Sequence, residues 1–282
     1  MYNVDLVLEG GGMRGMFTAG VLDVFLEKGI EFKRCIGVSA GACHACSFLS
    51  GQKKRAYNVG VDYLDNKRYC SVYSLIATGD LFGAKFVYDD IPNKLNLYDY
   101  DAFDKNDTEF YATVTNCETG EAEHIRINDM KNDIIYVRAS SSLPLLARIV
   151  KVKGKKYLDG GIADSIPVRH SLSSGSGKSV VILTQHKGYR KEKNGLMGLM
   201  KIKYFRYPEF VKQMKNRYLN YNDTLDFIDE EEIKGNIFVI RPPEPLNIGR
   251  IEKNKDVLTS VYETGRKEAE RVLEDLKSFL EE

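Results

Sequence analysis

The sequence has little histidine, almost no net charge and no long apolar run. Its 282 residues include four histidines, and the formal net charge is +1. This charge balance gives no overall field to attract nucleic acid, so we expect no nucleic-acid partner. No run of about 18 apolar residues is present, which excludes a transmembrane helix. The four histidines leave few candidates for catalysis that needs an imidazole side chain.

Disulfide bonds are not expected either. The five cysteines are an odd number, and no signal-like segment precedes the first apolar run. Both features favour a reduced, cytoplasmic setting. Cys43 and Cys46 form a C-x-x-C pattern, but they lie in a predicted helix, where residues three apart share one packed face. We therefore expect no metal or redox role for this pair.

A G-x-S-x-G pattern runs from Gly37 to Gly41 and is centred on Ser39. The apolar, β-branched residues before it predict a buried strand over 34–38, and the small residues after it predict a helix over 40–49. Small neighbours permit the sharp strand-to-helix turn that exposes a serine as a nucleophile. An ordinary tight turn is the alternative, and the flanking strand and helix favour the nucleophile.

A glycine-rich loop, Gly-Gly-Gly-Met-Arg-Gly, occupies residues 10–15. It follows a predicted strand over 4–9 and leads into a predicted helix over 16–27. Such a loop presents unpaired backbone N–H groups to an anion at the start of the helix.

The glycine loop is better suited to stabilising an oxyanion in an ester reaction than to binding a nucleotide. A dinucleotide site also needs a carboxylate at the end of the second strand, where Val38 and Ser39 stand. The Lys-Ser/Thr ending of a P-loop is absent as well. The pattern therefore favours an oxyanion hole formed by the N–H groups of Gly10, Gly11 and Gly12. Adjacent parallel strands would bring this loop and the serine to the same sheet edge.

The residues alone leave the base for Ser39 open. In an α/β-hydrolase the chain order is Ser, Asp, His, and Asp159 with His186 satisfies it; His170 is a further candidate. The nucleophile of such an enzyme usually follows several strands, whereas Ser39 follows two. His44, one helical turn beyond the serine, would point along the helix.

Asp159 is itself a candidate base. It ends a short predicted strand at a tight turn made by Gly160 and Gly161. A buried carboxylate with a raised pKa can accept a serine proton. Taken in isolation, these residues favour an ordinary hairpin turn, for which Asp-Gly is common.

Together these three elements resemble the patatin-like phospholipase family. Residues 10–15 are similar to its oxyanion loop, 37–41 to its nucleophile elbow and 159–161 to its Asp-Gly-Ala/Gly element, in the family's order and spacing. Residues 139–144 resemble a further stretch that packs near the site. The resemblance is strong over about 4–170 and weaker over about 171–282.

The resemblance implies a Ser–Asp dyad without a catalytic histidine. Ser39 would be the nucleophile and Asp159 the general base. The N–H groups around Gly11 and Gly12 would form the oxyanion hole, and Arg14 would meet the polar head of the substrate. The other motif glycines would shape the turns: Gly15, Gly37, Gly41, Gly160 and Gly161.

The expected fold is α/β, a single domain over 1–282 with a central, mostly parallel sheet in a three-layer α/β/α arrangement. The implied activity is hydrolysis of a lipid acyl ester through an acyl-serine intermediate, with no metal or cofactor. The partner would be a lipid or a membrane surface, with the protein peripheral to it. Two alternatives remain: a Ser-His-Asp esterase and a non-catalytic lipid- or nucleotide-binding module.

The remaining chain gives fewer functional signals. Residues 171–179 are serine-rich and predict a flexible loop, and 256–280 predict one amphipathic C-terminal helix. Residues 185–217 contain ten Lys/Arg against two Glu, interleaved with Met, Leu and aromatic residues. This basic stretch is either a solvated helix pair, which we favour, or a segment that meets an anionic membrane or forms a lid over the site.

Overall fold

A sheet of eight strands lies at the centre of residues 1–175 and 177–282, the part of the chain that the computed structural model describes. The strands are β1 Tyr2–Leu8, β2 Phe32–Val38, β3 Glu109–Asn116, β4 Ala122–Ile127, β5 Val150–Val152, β6 Lys155–Asp159, β7 Ser179–Ile182 and β8 Ile237–Ile240. Five run parallel in the order β3-β2-β1-β7-β8. β4 and the β5–β6 hairpin are antiparallel additions.

Helices connect the strands and cover the sheet. They are α1 Met16–Glu27, α2 Ala40–Leu49, α3 Arg55–Asp62, α4 Val72–Thr78, α5 Tyr100–Asp104, α6 Met130–Ser140, α7 Val168–Ser174, α8 Met197–Lys203, α9 Pro208–Ile233, α10 Lys255–Arg271 and α11 Leu273–Glu281. A π-helical segment covers Phe86–Leu95, and short 3₁₀ turns cover Gly12–Gly15 and Gly160–Ile162.

Helices lie on both faces of the sheet. Side chains alternate along a strand, so Leu6 and Leu8 of β1 pack with α1, α2 and α10, while Val7 packs with α7 and α9. Burial on both faces explains why the parallel strands are continuous apolar runs. The predicted three-layer α/β/α fold with a mostly parallel sheet is confirmed.

β3 brings the ends of two other strands together. β4 pairs with β3 along 110–115 and occupies one edge of it. β2 and β6 therefore share the other edge, where β2 pairs as far as Thr113 and β6 pairs from Val114 onward. β2 is parallel to β3 and β6 antiparallel, so the last residues of both strands, Val38 and Asp159, meet at adjacent positions of β3.

The predicted flexible loop over 171–179 is wrong for its first four residues, which belong to α7. Composition does not show that these serines have tertiary partners. Ser171 Oγ donates to Asp5 at 2.8 Å, and its carbonyl oxygen accepts from Arg34 at 3.0 Å. The prediction for Ser176 lies outside the described residues.

The predicted single C-terminal helix is two helices. α10 and α11 meet at Val272, whose φ of −95° and ψ of 7° interrupt the helical backbone. The apolar face continues across the break, since Leu258, Tyr262 and Leu276 are all buried. The amphipathic pattern therefore predicted the packed face correctly but not the bend.

Candidate active site

Ser39 lies on a sharp turn between β2 and α2. Its φ of 53° and ψ of −121° are strained for a residue with a side chain. A Cβ atom on Gly37 would lie 2.6 Å from the Cα of Ala42, and one on Gly41 would lie 2.6 Å from the carbonyl oxygen of Leu8. Both glycines of the motif are thus required by close backbone approaches at this elbow.

The hydroxyl of Ser39 donates to the carboxylate of Asp159, with 2.7 Å between Oγ and Oδ2. The second oxygen of Asp159 accepts from the N–H of Gly161 at 2.8 Å. A Cβ atom on Gly160 would lie 2.0 Å from the carbonyl oxygen of Thr113, so the end of β6 can approach β3 only with glycine there. The carboxylate is therefore held in one orientation toward the serine.

The electrostatic setting of Asp159 favours proton acceptance. Ser39 and Asp159 are 8% and 2% exposed. Burial raises the pKa of Asp159, and the Arg217 guanidinium and the Ser39 hydroxyl oppose that rise by favouring the charged carboxylate. A carboxylate with these contacts can accept the serine proton and return it later.

The segment 139–144 contacts both residues of this pair. Ser140 Oγ accepts from the N–H of Ser39 at 2.8 Å, and the carbonyl oxygen of Ser142 accepts from the N–H of Asp159 at 2.9 Å. The end of α6 thereby fixes the spacing between the serine and the aspartate.

The glycine loop lies directly against the elbow. A Cβ atom on Gly10 would lie 3.1 Å from the Cβ of Ser39, and Gly12 has a φ of +60° beside the carbonyl oxygen of Arg250. The Gly10 N–H donates to the carbonyl oxygen of Ser165 at 3.4 Å. Among the hydrogen bonds of the described residues, the N–H groups of Gly11 and Gly12 donate to no acceptor, so they are available to an anion.

Imidazole groups do not pair with Ser39 in the described part of the chain. His44 packs against Gly15, where a Cβ atom would lie 2.7 Å from Nε2, and burial lowers the His44 pKa to about 4. His170 stacks on His124 with 3.8 Å between ring centroids. The ring of His186 lies beside that of Tyr189, with 6.2 Å between the ring centroids.

Two cavities lie near the site, and of these two only the smaller is lined by Ser39. A cavity of about 140 Å³ is lined by Ser39 and by apolar side chains that include Met16, Val59 and Val87. A larger one of about 690 Å³ is lined mainly by residues beyond position 185. Leu143 lines both, so a chain bound in one and a polar group bound in the other would meet beside Leu143.

The sequence of this site matches a known family. The profile of patatin-like phospholipases matches residues 6–172, more than half of the chain. This chain belongs to the patatin-like phospholipase family. A second profile, a domain of unknown function (DUF6363), matches residues 207–281.

Relatives of this patatin-like protein include enzymes and longer proteins. YjjU of Escherichia coli is 29% identical over 275 residues, 93% of this chain and 75% of YjjU. Lysophospholipase nte1 of Emericella nidulans is 29% identical over 182 residues, 61% of this chain. Lysophospholipase NTE1 of Saccharomyces cerevisiae is 28% identical over 179 residues. This chain spans only 11% and 10% of these two lysophospholipases.

A solved structure shows the same fold. The crystal structure of VipD from Legionella pneumophila superposes with a TM-score of 0.51 at 13% identity, covering 98% of this chain and 67% of VipD.

The patatin-like site also contains charged residues that sequence reasoning did not single out. Arg217 of α9 donates through Nε to the carbonyl oxygen of Gly161, next to Asp159. Arg14, which the family resemblance implies to be a substrate contact, has a buried Nε without a hydrogen-bond partner among the described groups. The excess of Lys and Arg over 185–217 was the sequence feature that could have indicated Arg217 as a site residue. A sequence pattern alone, however, does not distinguish a cation that faces the interior from one that faces solvent.

Proposed function

We propose that this protein hydrolyses acyl esters of lipids, with Ser39 as nucleophile and Asp159 as general base. The observation that supports this most directly is the 2.7 Å contact between Ser39 Oγ and Asp159 Oδ2 at a strained strand-to-helix turn. Family membership supports a lipid acyl hydrolase, and the lysophospholipase relatives favour a lysophospholipid substrate.

The proposed reaction has two halves. Asp159 Oδ2 accepts the proton of Ser39 as Oγ attacks the ester carbonyl carbon, and the N–H groups of Gly11 and Gly12 stabilise the negative oxygen. The C–O bond then breaks, and Asp159 gives its proton to the departing alcohol oxygen. Deacylation follows the same course with water in place of the serine. Asp159 takes a proton from water, and the resulting hydroxide attacks the carbonyl carbon of the acyl-serine. The proton then returns to Ser39 Oγ as the fatty acid leaves.

The apolar cavity beside Ser39 suits an acyl chain. Its apolar lining includes Met13, Met16, Val59 and Phe82, and burial of each methylene group contributes about 0.8 kcal/mol. Arg14, on the glycine loop, is the proposed contact to the polar part of the substrate.

We further propose that residues 1–282 act as one domain. The C-terminal part packs closely on the motif-bearing part: a Cβ atom on Gly265 would lie 2.0 Å from the carbonyl oxygen of Phe17, and one on Gly20 would lie 2.1 Å from that of Tyr262. α10 therefore lies against α1 with almost no space between the backbones.

The proposal is tested by two assays on the purified protein. A fluorophosphonate probe reacts only with an activated serine, so we expect stoichiometric labelling that maps to Ser39 by mass spectrometry. Incubation with a micellar lysophospholipid is expected to release fatty acid. Absence of both labelling and release would favour the non-catalytic binding module instead.

The region around α8 supports contact with a lipid surface. Leu199, Ile202 and Phe205 are 57%, 75% and 73% exposed, and such a group of exposed apolar side chains is unusual for a merely solvated face. Basic side chains lie among them in the sequence: Lys201, Lys203 and Arg206. No helix in the described ranges is long and apolar enough to span a bilayer, so we propose a peripheral contact with anionic lipid.

Ile202→Ser is expected to lower activity on anionic phospholipid vesicles about tenfold, because the exposed side chain would no longer enter the bilayer surface. Ile233→Ser is the matched control, since Ile233 is 87% exposed at the end of α9. Added salt should lower the vesicle rate and leave hydrolysis of a soluble short-chain ester unchanged. An equal effect of Ile202→Ser on vesicles and on the soluble ester would contradict the surface contact.

A further inference from the structure

The cavity of about 690 Å³ is strongly basic. Its volume is in the range of small-ligand sites. Its charged lining residues are five cations and one acid: Arg190, Lys191, Lys193, Arg217, Arg250 and Glu192. An excess of cations this close to a proposed reaction centre needs a physical reason.

Four of these five cations, Lys193 among them, have no ion-pair partner among the described residues. Lys191, Arg217 and Arg250 form no ion pair among the residues that the structure describes, whereas Arg190 pairs with Asp226. Arg217 instead donates to neutral oxygens. The three side chains thus have positive charge that no carboxylate contacts within ion-pair distance among the described residues, and Asp159 and Glu9 act on Arg217 only from farther away.

The nearest buried carboxylates are already hydrogen-bonded to other groups. Glu9 accepts from the N–H of Thr184 at 2.6 Å and from the hydroxyl of Tyr221 at 2.6 Å. Asp159 likewise accepts hydrogen bonds from the Ser39 hydroxyl and from the N–H of Gly161. Neither carboxylate forms an ion pair with a cation of the cavity among the described residues, although both favour the charged form of Arg217.

Lys191 illustrates the shortage of negative charge. Its pKa is lowered to about 7, chiefly by burial and then by the positive charge of Arg217; Glu9 opposes this shift, and Arg250 and Arg14 add smaller lowering effects. Its Nζ lies 3.9 Å from the centroid of an aromatic ring, that of Tyr221. An anion in the cavity would stabilise the charged lysine.

Residues that line the cavity contact both loops of the proposed active site, the turn after Asp159 and the glycine loop. Arg217 Nη2 donates to Ser165 Oγ at 3.4 Å, and its Nε contacts the turn after Asp159. The carbonyl oxygen of Arg250 accepts from the N–H of Met13 on the glycine loop at 3.1 Å. Both arginines also favour the charged form of the Asp159 carboxylate, so a group bound between them lies on the Asp159 side of the proposed active site and not at a remote surface.

We propose that this cavity binds the phosphate of a phosphate-bearing lipid, with Lys191, Arg217 and Arg250 contacting the phosphate while the ester lies at Ser39. The inference rests on the proposed acyl-ester hydrolysis and specifies its substrate class as acyl glycerophosphates with an exposed phosphate. Guanidinium groups bind phosphate through paired, charge-assisted hydrogen bonds. A choline-bearing head group adds a positive charge that this cavity disfavours.

Binding is tested without turnover by titrating glycerol 3-phosphate into the wild-type protein in a calorimeter. Lys191→Met and Arg250→Gln are expected to weaken binding about tenfold to a hundredfold, the range for hydrogen bonds to charged groups. Arg190→Gln is the matched control, because Arg190 lines the same cavity but pairs with Asp226. It should bind glycerol 3-phosphate as the wild type does, and glycerol should not bind at all.

The kinetic arm compares lysophosphatidate with a monoacylglycerol of the same acyl chain. In Lys191→Met and Arg250→Gln, the ratio of kcat/KM for lysophosphatidate to that for monoacylglycerol should fall at least tenfold, through KM. Glycerol 3-phosphate should inhibit lysophosphatidate hydrolysis competitively.

The outcomes separate this inference from the proposed function. Hydrolysis of neither substrate would overturn the acyl hydrolase, while calorimetry would still report on the phosphate site. Phosphate binding that does not compete with lysophosphatidate would overturn the head-group assignment in favour of a separate anion site. Equal binding by wild type and both variants would overturn the site altogether.

Discussion

Ser39→Ala is expected to abolish acyl-ester hydrolysis, with a loss of about 10⁴-fold or more in kcat/KM. The substitution removes the one oxygen that attacks the ester and lies 2.7 Å from Asp159. The fold should persist, because alanine has a side chain no larger than serine and meets the same backbone strain at φ 53°. Fatty-acid release and fluorophosphonate labelling measure the loss, and circular dichroism checks the fold.

Ser50→Ala is the matched control for this experiment. Ser50 is also buried and stands at the other end of α2, where its hydroxyl donates to the carbonyl oxygen of Ser47 at 3.2 Å. It should keep activity and labelling within a few-fold of wild type. A Ser39→Ala protein that still hydrolyses esters would place the nucleophile elsewhere.

The local elements of this site could be predicted because their signals are local. The strand, tight turn and helix around Ser39 each depend on residues within about ten positions, and Gly37 is required by a contact with Ala42 in the same elbow. α1 and α2 have the predicted bounds of 16–27 and 40–49 for the same reason. Gly41 is required by a tertiary contact with Leu8 of β1, which the local pattern contains but does not explain.

The contact between Ser39 and Asp159 could not be derived from pattern alone. It depends on β2 and β6 ending at adjacent positions, Thr113 and Val114, on one edge of β3. Strand register of this kind is set by pairing over more than a hundred residues of sequence, which periodicity does not encode. Only the family resemblance indicated that the Asp-Gly-Gly turn was more than a hairpin.

The basic cavity and the helix at 168–174 were missed for a related reason. Serine-rich composition predicts flexibility, but Ser171 is fully buried against Asp5. A Lys/Arg excess predicts a solvated face, but Lys191 lies over the ring of Tyr221 and Arg217 contacts the turn after Asp159. In both cases tertiary contacts, invisible to composition, decide whether a polar side chain faces water or the interior.

Asp159→Asn is expected to lower kcat by about 10²–10⁴-fold, the usual contribution of a general base. The amide can still accept from the Gly161 N–H through its oxygen, but its NH₂ group then faces Ser39 Oγ as a donor and cannot take a proton. The serine would keep its place while losing its base, so KM should change far less than kcat.

The pH profile gives an independent readout of the same role. The base works as a carboxylate, so activity should fall as the pH is lowered through the pKa of Asp159. Burial raises that pKa, which places the acid limb of kcat/KM above the range of an exposed aspartate. The residual activity of Asp159→Asn should lack this limb.

Asp164→Asn is the matched control, since Asp164 lies in the turn that follows the same strand and burial raises its pKa to about 6. It has no contact with Ser39, so its kcat and acid limb should stay close to those of the wild type. Alanine variants of His44, His170 and His186 should retain activity within about tenfold, because no imidazole bonds to Ser39 among the described residues. An inactive but folded His186→Ala or His170→Ala variant would replace the dyad with a Ser-His-Asp triad, in which Asp159 orients a histidine instead of accepting the serine proton.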